Sequence, residues 1–208
     1  PYLDKMTKWN GYKISWSFMH TFDPEDKRLL TIASEYTSKD GVVHNEKNDS
    51  QDPSAQLYLG AVPLKYEFDP DCTGEDSQID WIIYRYADVL TLTAEAIVRN
   101  KNAVTKEAVD LLNEVRTRSL PGKGYSLQDL NSVDKFLKAV LNERGWELYF
   151  EGNRRQDLIR YGIFVETIKK KAQSMGKQTL VDENRHRFPI PQSIIDEGKG
   201  VIEQNPGY

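Results

Sequence analysis

The sequence predicts a mainly α protein with a minor strand-and-loop region at its N-terminal side. Three observations carry this. From residue 81 onward the apolar residues recur with a 3.6-residue period. Ahead of residue 80 they alternate or give way to polar runs. The two clearest helical stripes are also joined by a short connector, so neither can bury its apolar face except against the other. Residues 1–80 are therefore expected to form a strand-and-loop insertion region and residues 81–208 a helical scaffold, together making one structural domain.

Tyr12, Ile14, Trp16 and Phe18 alternate with Lys13, Ser15 and Ser17, the period of a half-buried strand. A charged turn, Phe22-Asp23-Pro24-Glu25-Asp26-Lys27-Arg28, precedes a second expected strand around Leu30 to Tyr36. Residues 37–56 are almost devoid of apolar side chains and read as a long exposed loop. A short strand is expected around Ala61 to Phe68. Between 69 and 80 lie Asp69, Asp71, Glu75, Asp76 and Asp80, an acidic loop without EF-hand spacing, for which a solvated loop is favoured over calcium.

In the helical part, Tyr86, Val89, Leu90, Ala94, Ile97 and Val98 share one face. Val104, Ala108, Leu111, Leu112 and Val115 share another, stopped by Leu120-Pro121-Gly122. The pair is an antiparallel hairpin of about 34 residues, the size of a tetratricopeptide-type unit. A third helix begins at the N-cap Ser132 and buries Val133, Phe136, Leu137, Val140, Leu141 and Leu148, running to about Glu151-Gly152. Shorter helices follow over Arg155 to Tyr161 and Phe164 to Ser174. Phe188-Pro189-Ile190-Pro191 must then be extended, because two prolines fix the backbone, and a last helical turn runs through Ile195.

Composition narrows the function. Among 208 residues, 28 basic side chains meet 32 acidic ones for a net charge of −4, which disfavours nucleic acid as a partner. No run of eighteen apolar residues is present to span a membrane. The single Cys72 has no partner for an internal disulfide, no Cys/His cluster has zinc spacing, and His20, His44 and His186 read as surface residues. No metal or other cofactor is expected.

The densest charged block runs from Glu143 to Gly162. Glu143, Glu147 and Glu151 lie four apart, in one row of a helix, where like charges repel unless cations neutralise them. Arg144, Arg154, Arg155 and Arg160 are close in sequence, and Arg85, Arg116 and Arg118 are available from neighbouring helices. Two readings compete: paired carboxylates for glycoside hydrolysis, or an ion-pair network that clamps helices. A carboxylate-bridged metal pair fails, because the third residue after each glutamate is Trp146, Phe150 or Arg154 rather than histidine. The structural network is favoured, with Arg85, Glu95, Arg116, Glu143, Arg144, Glu147, Glu151, Arg154, Asp157 and Arg160 as its members.

These residues also carry a resemblance. Tyr84-Arg85-Tyr86-Ala87-Asp88-Val89-Leu90 with Ala94-Glu95-Ala96 is similar to a signature helix of the SusD/RagB family, as is Leu112-Asn113-Glu114-Val115-Arg116-Thr117-Arg118. The Glu143–Gly162 block, Phe188-Pro189-Ile190-Pro191-Gln192 and Gln204-Asn205-Pro206-Gly207-Tyr208 follow in the family's order, and Phe22 to Arg28 resembles its charged turn. The resemblance implies tetratricopeptide-like helix pairs in a SusD-like α-α superhelix. It also implies a non-enzymatic lipoprotein of the outer-membrane cell surface in Bacteroidetes-type bacteria. Such a protein binds oligosaccharide or polysaccharide and serves a TonB-dependent, SusC-like outer-membrane transporter. Its only membrane attachment would be an N-terminal lipid anchor, expected upstream of this sequence. A glycoside hydrolase and a helical-repeat interaction scaffold remain the alternatives.

A sugar site needs an exposed flat aromatic ring beside hydrogen-bonding groups. Trp9-Asn10-Gly11-Tyr12 offers both in one loop, so Trp9, Asn10 and Tyr12 are the candidate ligand-binding residues. The competing reading has Tyr12 continuing the buried parity of the strand and Trp9 covering a core edge. Trp16, Phe18, Trp81 and Trp146 are read as packing residues.

Overall fold

A computed structural model describes residues 11–66, 69–72 and 78–208 and divides the chain into two compact units, Pro1–Glu151 and Gly152–Tyr208. In the first unit the change from short strands to long helices falls at Arg85.

Eight α-helices, two 3-10 turns and four short strands lie among the described residues, so the regular structure is mainly helical. Helix α3 (Tyr86–Lys101) ends where Asn102 takes a left-handed conformation, φ 47°, which asparagine tolerates better than most residues. Helix α4 (Lys106–Ser119) starts at Thr105, whose hydroxyl accepts from the Ala108 N–H. Helix α5 (Val133–Glu147) starts at Ser132, whose hydroxyl accepts from Lys135 N–H. Helices α3 and α4 pack along each other, and α5 lies against both. Ala94 and Val98 of α3, Ala108, Val109 and Leu112 of α4, and Phe136, Ala139 and Val140 of α5 form one buried core, with Leu130 from the preceding loop.

The buried stripe of α3 differs from the expected one. Leu90, Ala94 and Val98 are inside, but Tyr86 and Val89 face out. Their places at the interface go to Asp88, Thr91 and Glu95, all buried. An apolar count misses this because Asp88 and Thr91 face Arg144 on α5, while Glu95 pairs with Arg99 one turn along α3. Helix α5 also stops earlier than expected, at Glu147, and Phe150 takes φ 61°, which bends the chain away from the helical path.

The front of the chain corrects four further expectations. Only Ile14 pairs as a strand, exchanging both hydrogen bonds with Ala61. The chain then turns into a single helical turn, α1 (Trp16–Met19), so Trp16, Phe18 and Met19 border a second core of Ile14, Phe22, Ile32, Ala61 and Tyr149. Alternating aromatics satisfied either geometry; burial of Ile14 against Ala61 selected this one. Leu30, expected in a strand, is exposed in a 3-10 turn over Lys27–Thr31, which leads into β1 (Ile32–Ala33). Strand β1 pairs antiparallel with β4 (Val62–Pro63), and β2 (Glu35–Thr37) pairs with β3 (Val43–Asn45). The supposed loop of 37–56 therefore contains β3 and a short helix, α2 (Glu46–Asp49). What orders it is Asp49, whose buried carboxylate accepts from the Leu57 N–H at 2.9 Å and meets His44 Nδ1 at 2.8 Å. His44, stacked on Tyr36, is largely buried rather than a surface residue.

In the second unit, α6 (Arg154–Arg160) and α7 (Phe164–Ser174) meet at Gly162, where φ is +70°. A 3-10 turn (Glu183–His186) and α8 (Gln192–Glu197) follow. The extended Phe188–Pro191 segment has few backbone donors, and the C-terminal residues satisfy it with side chains. Gln204 accepts from Ile190 N–H and donates to Ile190 C=O, Asn205 donates to Phe188 C=O, and Tyr208 donates to Arg187 C=O.

Gly60 sits at φ +144°, and a Cβ there would lie 1.9 Å from the Ile14 carbonyl oxygen. Gly60→Ala is expected to break the Ile14–Ala61 bridge and lower unfolding free energy by at least about 1–3 kcal/mol. Urea denaturation checks this; a midpoint unchanged from wild type would show that the bridge does not order the front of the chain.

Candidate functional site: a buried charge network and an exposed aromatic surface

Glu143 and Glu147 lie one turn apart on α5, and Glu151 follows in the turn beyond it. All three carboxylates are buried, Glu143 completely. Arg28, from the charged turn, donates through Nη1 to Glu143 at 2.7 Å and to Glu147 at 3.2 Å, while Asp26 accepts from its Nε and Nη2. Arg116 reaches Glu143 from α4 at 3.0 Å, and its Nε donates to the Lys123 carbonyl. Arg85, just before α3, donates to Glu147 at 2.6 Å and to both oxygens of Glu151. Arg118 donates to both oxygens of Glu147 at 2.7 Å, and Lys65 pairs with Glu151. Four carboxylates (Asp26, Glu143, Glu147, Glu151) thus face five cations (Arg28, Lys65, Arg85, Arg116, Arg118), drawn from the front segment, two helices and their flanks.

Beside this cluster, Arg144 donates to Asp88 at 2.6 Å and to the Thr91 hydroxyl at 2.8 Å, tying α5 to α3 through buried groups. Glu95, also buried, accepts from Arg99 one turn along α3. Of the remaining expected members, Asp157 and Arg160 pair with each other at 2.8 Å within the second unit, where Arg154 is an exposed residue at the start of α6. Asp26, Arg28, Lys65 and Asp88 were not among the expected members. Arg28 had a signal, since it closes the charged turn; Lys65 had none, because only the fold brings it to Glu151.

The electrostatics follow from the geometry. Burial pushes the Glu147 carboxyl up, but hydrogen bonding from Arg85 and the charges of Arg85, Arg118 and Arg28 outweigh it and hold it below its ordinary value of 4.5. Burial works against the Arg28 charge, and the Asp26 and Glu143 partners overcome it, raising its pKa. Lys65 goes the other way: burial lowers its pKa more than Glu151 restores it.

Above this cluster lies a different chemistry. Phe150 meets the Tyr12 ring at 5.9 Å and the Tyr66 ring at 6.0 Å, both edge-on, and Trp81 stacks on Tyr66 at 4.8 Å. Tyr12 is 82% exposed and Trp81 55%, so neither acts as a core residue. Trp81 was expected to pack inside; it is instead half of an exposed stack. Trp146 does pack, next to Phe22, with its indole N–H donated to Thr21. Trp9 and Asn10 lie outside the described residues, as does part of the acidic loop. Within that loop Asp69 is buried and accepts from the Asp71 and Gln78 N–H groups, the work of a turn cap. Among the described residues no cluster of three or more His, Cys, Asp or Glu side chains is disposed to hold a metal ion. No described helix is long and apolar enough to cross a membrane.

The profile of the SusD family (SusD_RagB) matches residues 4–208. The chain belongs to the SusD family. SusD-like protein P2 of Formosa agariphila is 27% identical over 96% of this chain and 41% of its own length. Starch-binding protein SusD of Bacteroides thetaiotaomicron is 30% identical over 61% of this chain and 21% of its own length. Among solved structures, a SusD homolog from B. thetaiotaomicron superposes with a TM-score of 0.72 at 27% identity, covering 98% of this chain and 46% of that one. Surface glycan-binding protein A from the same organism, in complex with laminarihexaose, shares the fold with a TM-score of 0.57 at 21% identity, over 91% and 40% of the two chains. This chain thus spans less than half the length of each of these proteins.

Glu147→Ala is expected to lower stability by about 3–5 kcal/mol, since it leaves buried guanidinium groups without their counter-charge. Because the Glu147 pKa is lower folded than unfolded, its stabilisation is complete above the ordinary value and is lost as pH falls through the folded value. Glu147→Gln should therefore flatten the loss of stability below pH 4.5. Urea titrations from pH 7 to pH 3 measure both; equal slopes for wild type and Glu147→Gln would remove Glu147 from the acid response.

Proposed function

We propose that this chain is part of a cell-surface glycan-binding protein that delivers oligosaccharide or polysaccharide to a TonB-dependent, SusC-like outer-membrane transporter. In this reading the protein is lipid-anchored to the outer membrane, acts without metal or other cofactor, and is not an enzyme. The observation that carries the reading is the separation of the two chemistries. The carboxylates able to act as acid and base are buried against arginines and a lysine, whereas the rings of Tyr12 and Trp81 are open to solvent. A glycosidase needs the opposite arrangement, with its two carboxylates facing the scissile bond.

The family supports the same reading. Its relatives include a starch-binding protein and a surface glycan-binding protein in complex with laminarihexaose. Trp9, Asn10 and Tyr12 supply the ligand contacts: the rings lie along the C–H faces of sugars, and the amide meets their hydroxyls. Arg85, Glu95, Arg116, Glu143, Arg144, Glu147, Glu151, Arg154, Asp157 and Arg160 serve the scaffold.

Tyr12→Ala and Trp9→Ala should each weaken binding of the cognate glycan about 2- to 12-fold, the range of an aromatic contact worth 0.5–1.5 kcal/mol, with little change in Tm. Isothermal titration against a panel of soluble polysaccharides tests this. Affinities unchanged by both substitutions would move the ligand site elsewhere, and hydrolysis of any glycan in the panel would restore the enzyme reading.

A further inference from the structure

The first unit carries a cleft that the aromatic surface does not use. It is open, about 530 Å³ in volume, and lies among α1, β2 and the start of α2. This volume falls in the range of small-molecule sites, about 300–1,000 Å³. Trp16 and Met19 supply apolar wall, and His20, Glu35, Asn45 and Glu46 supply polar groups. These groups are already held in place. The Trp16 indole N–H donates to the Leu57 carbonyl at 3.1 Å, which sets the plane of the ring. Asn45 Nδ2 donates to Glu35 Oε2 at 2.8 Å, and His20 Nε2 lies 2.8 Å from Glu46 Oε2.

We propose that this cleft is a second saccharide subsite, taking one uncharged pyranose unit of a longer chain against Trp16 and Met19; the proposal rests on the glycan-binding reading above. A pyranose offers one apolar C–H face and a rim of hydroxyls, each able to donate. The wall matches the face. Each carboxylate has acceptor capacity beyond its one internal partner, so Glu35 and Glu46 can take hydroxyl protons. The charges select an uncharged unit: the carboxylates repel a sulfated or uronic sugar, and Lys47 is the only fixed cation in the lining. An open cleft rather than a closed cavity suits a unit within a polymer, whose neighbours must leave on both sides. The local order of 37–56 then has a use, because β3 and α2 carry Asn45 and Glu46 to the rim.

The test uses the full 208-residue chain, labelled so that its four Trp indole N–H signals are resolved by NMR, titrated with laminari-, malto-, cello-, xylo- and mannohexaose. Trp16→Phe assigns the Trp16 signal. With a hexaose that binds, the Trp16 signal is expected to move. Glu35→Ala and His20→Ala, both at exposed positions, should each weaken that hexaose about fivefold or more, and Trp16→Ala about tenfold or more. Because Trp16 also borders a core, the two exposed positions decide the matter if Trp16→Ala fails to fold. Binding with an unmoved Trp16 signal and affinities within twofold for Glu35→Ala and His20→Ala would overturn this subsite and leave the glycan reading standing. Failure of every hexaose to shift any indole signal would overturn both.

Discussion

A buried carboxylate persists only where cations or hydrogen-bond donors meet it, and three of them at four-residue spacing would otherwise oppose this fold. Glu143, Glu147 and Glu151 resolve that constraint by drawing Arg28, Lys65, Arg85, Arg116 and Arg118 from five places in the chain. The cluster therefore does what an apolar core cannot. Hydrophobic contact is non-directional, whereas forked guanidinium–carboxylate pairs specify one register. The charged turn before β1 and the end of α4 each reach both Glu143 and Glu147 on α5, and the flank of α3 reaches Glu147. Replacing such a network by apolar side chains need not lower stability, so its value lies as much in uniqueness as in strength.

The same network explains how the rest of the first unit is arranged. Once Asp88, Thr91 and Glu95 occupy one edge of α3 to meet their partners, Tyr86 and Val89 are turned outward. Phe150, released from the helical path at φ 61°, turns toward Tyr12, Tyr66 and Trp81 while Glu151 still reaches Arg85. One short turn thus joins the charged interior to the aromatic exterior. The helices provide the frame, and the short elements at the front carry groups that meet solvent, Tyr12 among them. Those elements are held by single polar contacts, such as Asp49 to Leu57 and Trp16 to Leu57, rather than by extended sheets.

The second unit shows the economy of side chains standing in for backbone. Proline removes donors from Phe188–Pro191, and Gln204 pairs with both backbone groups of Ile190 as a strand would. Arg155 lies over the rings of Phe164 and Phe188, and Arg185 over Tyr208, so the C-terminal residues are fastened by cation–π contacts as well. The run Gln204-Asn205-Pro206-Gly207-Tyr208 is a latch within this unit, and Gly207 has no room for a Cβ against Asn184.

The helices were legible because periodicity, caps and stops are local: Ser132 marks the start of α5 and Leu120-Pro121-Gly122 the end of α4. The mainly α class, the order of the helices and membership of the SusD family all follow from such short-range patterns. What the front of the chain would do was not legible, because Tyr12 to Phe18 and 37–56 satisfy more than one local geometry. Their choice was made by distant partners: Ala61 for Ile14, Leu57 for Asp49 and Trp16. The carboxylate row announced that cations must exist and the charged turn offered Arg28, yet nothing local named Lys65, which meets Glu147 and Glu151 only after the chain has folded back over more than eighty residues. Nor did sequence distinguish the exposed Trp81 from the packed Trp146, since exposure is a property of what surrounds a ring. Local chemistry determined the elements; long-range pairing of buried charges decided which faces they turn to one another and which they leave to solvent.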